Sequence, residues 1–262
     1  MINFINELDA AEEEYLRLFC DVKDTALFRT FKDDSLKGMY SHHFTKMTTP
    51  YHPILLREVL AESHKALNRT FVHVKLPFNV RVDKKMMYSL TMDDYFCDLD
   101  LYYLHDLKSL DVCSRIVTKV GEGAALRDAC RAMELYDARH INAGFANTKL
   151  KRKKPFYQSK QIRLFVCYEN GVPIGSAELY ISPISKIAKI EEVAILDEYQ
   201  RRGYGTSFMK SLLNESKRLG AEFAYLVTVN ETSSRAFYEK LGFVKVLEQE
   251  NIFKNLANKS SS

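Results

Sequence analysis

Residues 190–206, IEEVAILDEYQRRGYGT, are the stretch of this chain whose residue types and spacing point most directly to chemistry. An apolar strand runs into a short polar turn, and a helix follows. Gly203 and Gly205 remove side chains where a ligand would come close to the backbone. The amides of Arg201, Arg202, Gly203, Tyr204, Gly205 and Thr206 are expected to point outward unpaired, with the positive end of the helix dipole behind them. Such a turn receives a pyrophosphate, and Arg201 and Arg202 would add charge at its rim. It is neither a Walker loop, lacking Gly-Lys-Ser/Thr, nor a dinucleotide fingerprint, lacking the third glycine and the later acidic residue. Taken alone, Gly-x-Gly before a helix equally describes a structural turn.

The wider setting adds a resemblance. Gln200-Arg201-Arg202-Gly203-Tyr204-Gly205 matches the Gln/Arg-x-x-Gly-x-Gly/Ala signature of the GNAT superfamily of N-acetyltransferases. Further along, residues 230–243, NETSSRAFYEKLGF, are similar to that family's second cofactor motif. Two motifs in the right order make the C-terminal half resemble this family. The resemblance implies a GNAT-type acyl-CoA N-acyltransferase fold: α/β (α+β), with a mixed, mostly antiparallel central sheet.

The resemblance also implies roles. The strand before the turn would splay from its neighbour and take the pantetheine arm of acetyl-CoA along Val193, Ala194 and Ile195. Gln200 and the residues up to Thr206 would hold the pyrophosphate, and Asn230 resembles the family's cofactor-contacting asparagine. The activity implied is transfer of the acetyl group of acetyl-CoA to a primary amine by direct attack on the thioester. An ammonium has no lone pair, so the acceptor must first lose a proton. A backbone N–H near Val193 is the expected donor to the oxyanion. Tyr238 stands at the family's general-acid position, where a phenol would protonate the departing thiolate. For the base, Glu191 and Glu192 are adjacent on a strand and so are expected to face opposite sides. Glu192 is the candidate, with Glu191 or a water chain as alternatives.

These groups need elements to position them. Residues 162–168 and 172–181 flank Asn170-Gly171, a strong hairpin signal. Residues 187–196 read as a third strand, 206–219 as a helix closed by Gly220, and 222–229 as a fourth strand. A short helix at 233–241 and a last strand at 243–247 follow, and 124–141 is a helix. Residues 146–160 are polar and basic and read as a surface loop. Their run KLKRKK, 149–154, is expected to be solvated there, with a phosphate-binding patch as the alternative.

The first part of the chain shows no catalytic motif. Helices are expected over 11–22 and 54–67, and strands over 71–76 and 95–104. A boundary near residue 110 gives three parts: 1–110, a GNAT domain over 111–254, and a polar tail at 255–262. Residues 1–110 read either as a degenerate copy of the same fold or as an accessory domain shaping the acceptor site or a homodimer interface. Having no Gly-x-Gly turn, they are not expected to bind cofactor. His42, His43 and His52 read as surface-loop histidines rather than metal ligands.

Composition sets outer limits. The 262 residues are 46% hydrophobic and 27% charged, which suits one large or two modest soluble domains. The net charge of +4 does not call for a nucleic-acid partner. No apolar run approaches the roughly 18 residues of a membrane span, and the acidic N-terminus is not a secretory signal, so the expected location is cytoplasmic. Five scattered cysteines without a CxxC pair argue against disulfides and zinc, and no metal is expected. The rival reading is a non-catalytic acyl-CoA-binding or regulatory protein, and an interaction scaffold is a third. Tyr238 and the glycine turn favour the enzyme. The acceptor stays open among small amines, antibiotics, amino acids and protein N-termini.

Overall fold

The computed structural model describes residues 2–108, 117–120 and 123–256. The boundary expected near residue 110 and most of the tail lie outside the described residues. The chain opens with α1 (Ile2–Leu16), β1 (Asp21–Asp24), β2 (Phe28–Lys32), β3 (Phe44–Met47), α2 (Pro53–Leu67) and β4 (Phe71–Lys75). It continues through α3 (Lys84–Met92), β5 (Phe96–Asp106), β6 (Val117–Val120), α4 (Gly123–His140) and α5 (Ala143–Gln158). Next come β7 (Arg163–Glu169), β8 (Val172–Ile181), β9 (Ile187–Ile195) and α6 (Tyr204–Arg218). It closes with β10 (Phe223–Val229), α7 (Thr232–Lys240) and β11 (Val244–Asn255).

The fold is mixed α/β with mostly antiparallel strand pairing, and it divides into two compact units. One comprises Met1–Tyr15, Tyr103–Leu226 and Ala236–Val244; the other comprises Leu16–Tyr102, Val227–Arg235 and Lys245–Ser262. In the second unit the strands run in the order β1, β2, β3, β4, β11, β5. Only β3 and β4 pair in parallel among the ladders β1–β2, β2–β3, β3–β4 and β4–β11. Leu56, Val59 and Leu60 of α2 and Met86 and Leu90 of α3 pack on Val72, Val74 and Ile252. Pro53 opens α2, where His52 accepts a hydrogen bond from the Ile54 amide, and Asn68 closes it in the left-handed region.

In the first unit the order is β5, β10, β9, β8, β7, β6. The β7–β8 hairpin turns at Asn170 (φ 49°) and Gly171 (φ 81°), left-handed at both central residues as the sequence led one to expect. The β8–β9 ladder is antiparallel, whereas β9 and β10 pair in parallel. No helix among the described residues is long and apolar enough to cross a membrane.

Three expectations need correction. Residues 146–160 are not a loop. Asn142 caps α5 by accepting from the Phe145 amide at 2.8 Å, and the inward face of that helix is Ala146, Lys149, Lys153 and Tyr157. The lysines at 149 and 153 are buried, not solvated, because carboxylates distant in sequence receive them. His42 and His43 are likewise buried. The His42 ring nitrogen lies 3.2 Å from Asp33, and His43 meets the Leu36 carbonyl at 3.1 Å. Finally, the helix expected over 11–22 begins at Ile2 and ends at Leu16, and Val22 belongs to β1.

Candidate active site

The site forms where β9 meets α6. The β9–β10 ladder is three residues long, Phe223↔Ile187 through Tyr225↔Lys189, and from Ile190 onward β9 keeps only its β8 neighbour among the described pairings. One edge of Val193, Ala194 and Ile195 is thereby left without a partner strand among the described pairings. On the other edge the two strands approach closely. A Cβ on Gly175 would sit 2.4 Å from the Ala194 carbonyl oxygen, so only glycine fits opposite Ile195.

β9 carries a bulge. Ser176 pairs with Ala194 and Glu178 with Glu191, so Ala177 faces both Glu192 and Val193. Glu192 takes up the extra residue at φ 55°, in the left-handed region. The expected alternation of Glu191 and Glu192 therefore fails. The bulge turns Glu192 toward the face that Glu191 and Glu178 already share, and one ionic network receives all three carboxylates.

That network is built from α1, α4, α5 and the sheet. Lys149 Nζ lies 2.6 Å from Glu192 and 3.0 Å from Asp137. Lys153 Nζ lies 2.9 Å from Glu178 and 3.5 Å from Glu192. Tyr157 and Tyr15 donate to Glu178 at 2.5 and 2.7 Å. Lys189 bridges Glu12 at 2.6 Å and Glu191 at 2.9 Å, with the Tyr15 ring centroid 4.5 Å from its ammonium.

The two adjacent carboxyls are tuned in opposite directions. Burial alone would raise Glu192, but Lys149 and Lys153 outweigh it and hold the carboxyl at about 2. So firmly ionised a group is a poor proton acceptor, which weighs against Glu192 as the base. Glu191 is raised, by burial first and by Glu192 and Glu12, although Lys189 opposes the shift. Burial works against the Lys149 charge, yet Glu192 and then Asp137 keep its pKa above the usual lysine value.

The turn after β9 is stapled from within. Gln200 Nε2 donates to the Ile195 carbonyl at 2.8 Å and to Asp197 at 3.1 Å. Arg139 of α4 reaches Glu198 at 2.6 Å, and the His140 ring lies 3.1 Å from Asp197. Arg201 (φ 61°) and Gly203 (φ 86°) both occupy the left-handed region, and Arg202 lies over the Tyr199 ring at 5.8 Å. Gly203 is the N-cap of α6, and the helix's first backbone bond runs from the Ser207 amide to the Gly203 carbonyl. The amides of Tyr204, Gly205 and Thr206 precede it and have no intrahelical acceptor. A Cβ on Gly203 would meet nothing within 4 Å, and one on Gly205 would touch only Phe237 and Ile195, at 3.6 Å or more. The open space is at Gly203, and it suits a phosphate lying on the amides.

Tyr238 on α7 belongs to the same unit. Its ring lies among Tyr103, Phe237 and Phe243, with centroids 6.3, 5.2 and 6.0 Å away. Tyr103 is held in turn by a 2.9 Å hydrogen bond to Glu239. Burial, then the charge of Glu191 and Tyr136, push the Tyr238 phenol up to about 12. Asn230 belongs to the other unit, exposed at the end of β10, where it accepts from Arg235 at 3.3 Å.

Known proteins resemble this chain in both sequence and fold. Residues 131–243 match the acetyltransferase (GNAT) family. CgeE of Bacillus subtilis, an uncharacterized N-acetyltransferase, is 34% identical over 248 residues, which is 92% of this chain and 95% of that protein. The chain belongs to the GNAT family. Among solved structures, a protein of unknown function from Staphylococcus epidermidis superposes with a TM-score of 0.75 at 15% identity, covering 90% of this chain and 94% of that one. A GCN5-related N-acetyltransferase from Kribbella flavida gives 0.65 at 13% identity, covering 94% of each. Both likenesses run through the whole chain, so the GNAT resemblance first read in the C-terminal half extends to two GNAT-like halves. The GNAT match spans Asp137, Lys149, Lys153 and Glu178 as well as the turn and Tyr238. Sequence reasoning missed these four, and their one signal was the helical spacing of the two lysines.

Proposed function

We propose that this protein is an acetyl-CoA-dependent N-acetyltransferase acting on a primary amine. The observation that carries this reading is the early end of the β9–β10 ladder beside a helix start with unpaired amides. An extended thiol ester can run along the free edge of β9 while its pyrophosphate rests on the turn from Arg201 to Thr206. When bound there, acetyl-CoA supplies an acyl carbon activated by a thiolate leaving group. The chain's own residues do the rest. Glu191, raised and partly buried, accepts the proton of the incoming ammonium, the role first given to Glu192. The Val193 amide, beside the bulge, is the donor to the carbonyl oxygen. Tyr238 remains a neutral phenol and gives its proton to the departing sulfur.

The test is turnover. Purified protein, acetyl-CoA and a panel of primary amines are incubated, and released thiol is followed with a thiol reagent. Thiol release that depends on an added amine, with the N-acetyl product found by mass spectrometry, supports the reading. Binding of acetyl-CoA without release across the panel would favour an acyl-CoA-binding regulator instead.

A further inference from the structure

The basic run on α5 has no part in the reaction as described, yet two of its lysines are among the most buried charges of this unit. We infer that Lys149 is a positioning residue: by bridging Asp137 and Glu192 it holds the bulge of β9 in place and thereby sets where Glu191 and the Val193 amide stand. The turnover part of this inference rests on the function proposed above.

A non-glycine residue such as Glu192 in the left-handed region is strained, and surrounding structure must over-determine it for the strain to persist. The Lys149 ammonium does so from across the helix–sheet contact. It lies 2.6 Å from Glu192 and 3.0 Å from Asp137, and its side chain is 3% exposed. Asp137 is in turn fixed on α4, so the lysine joins two elements through a single charge. Lys153 reaches Glu192 only at 3.5 Å and is committed to Glu178, which leaves Lys149 as the closer anchor.

Removing the ammonium would leave a carboxylate shielded from solvent with its main partner gone. Relaxation then favours the side chain swinging outward and the backbone returning to the extended region. A strand without its bulge presents residues 193–195 to the opposite face, because alternation has a period of two. The atoms offered to the reaction would move even though Lys149 touches none of them.

Lys149→Met keeps the length of the side chain and removes its charge. In a crystal structure of this variant, Glu192 is expected to leave the left-handed region and the two-against-one pairing opposite Ala177 to disappear. An unchanged bulge would overturn the inference, whatever the enzyme does. With acetyl-CoA and an accepted amine, kcat is expected to fall on the order of 10- to 100-fold, and the KM for acetyl-CoA to rise with it, because the edge of 193–195 shifts with the bulge. Lys149→Arg should restore part of kcat, and adding Glu192→Gln to Lys149→Met should lower it no further. A folded Lys149→Met protein with parental kcat would contradict the positioning role. If Lys149→Met does not fold, Glu192→Gln alone tests the same bond through the same bulge and kcat. Absence of turnover in the parent would defeat the functional reading, and the bulge in the variants would still decide this one.

Discussion

The Lys153 ammonium lies 2.9 Å from one carboxylate oxygen of Glu178 and 3.0 Å from the other, and neither side chain is exposed. Tyr15 and Tyr157 donate to the same carboxylate, so an element near the N-terminus and a helix 140 residues further on share one anion. Both phenols are pushed well above their ordinary pKa, by burial first and then by Glu178, and so remain donors. A buried pair of this kind holds its charge only while every partner is present.

Removing one charge should therefore be much worse than removing both. Lys153→Met is expected to lower unfolding stability by about 3–5 kcal/mol in urea titrations. Lys153→Met with Glu178→Met should recover most of that loss. A single variant as stable as the parent would mean that the network contributes nothing to the fold.

Tyr238→Phe keeps the ring among Tyr103, Phe237 and Phe243 and removes the proton donor. Turnover is expected to fall about 10²-fold or more, with acetyl-CoA affinity nearly unchanged. Because the phenol is pushed to about 12, the acid is lost only as pH rises toward that value, well above the ordinary assay range. Unchanged turnover where chemistry limits the rate would make Tyr238 a packing residue.

Glu191, as the proposed base, sets the other limb. A base works deprotonated and its pKa is raised, so kcat/KM is expected to fall as pH drops through a value above the ordinary glutamate range. Glu191→Gln should abolish that limb along with most of the rate. Glu192 is held at about 2 and does not titrate in this window, so Glu192→Gln should keep a limb but move it to lower pH, because the Glu192 charge helps to raise Glu191. A limb that disappears with Glu192→Gln alone would return the base role to Glu192.

Gly203 is held at φ 86° with open space where a Cβ would project. Gly203→Ala therefore carries a conformational penalty and no clash, expected to be about 1–2 kcal/mol by thermal or urea unfolding. No measurable change would mean the turn relaxes freely, which is at odds with a preformed phosphate site.

The sequence was most legible where a local signal suffices. Asn170-Gly171 requires a left-handed turn, and the hairpin forms around it. The glycine turn ahead of α6 and the Tyr-Glu-Lys-Leu-Gly-Phe run on α7 carried the family resemblance without help from contacts. Helix α5 was illegible for the opposite reason. Its buried stripe at 146, 149, 153 and 157 has helical spacing, but two of the four positions are lysines, and a search for apolar periodicity passes over them. Their burial depends on Asp137, Glu178 and Glu192, which no local window contains. The same limit applies to Glu191 and Glu192. Alternation along a strand is a sound rule until a bulge breaks it, and this bulge depends on the pairing of β9 with β8. His42 and His43 follow the pattern too, since their burial comes from Asp33 and the Leu36 carbonyl, neither of which their own short segment reveals.

Calorimetric titration decides whether the turn from Arg201 to Thr206 binds acetyl-CoA. Gly205→Glu adds a negative charge at the start of α6, and the variant is titrated once its circular dichroism spectrum matches the parent's. Saturable binding of acetyl-CoA is expected for the parent and none for Gly205→Glu. Equal binding to both proteins, or to neither, would contradict binding at that turn.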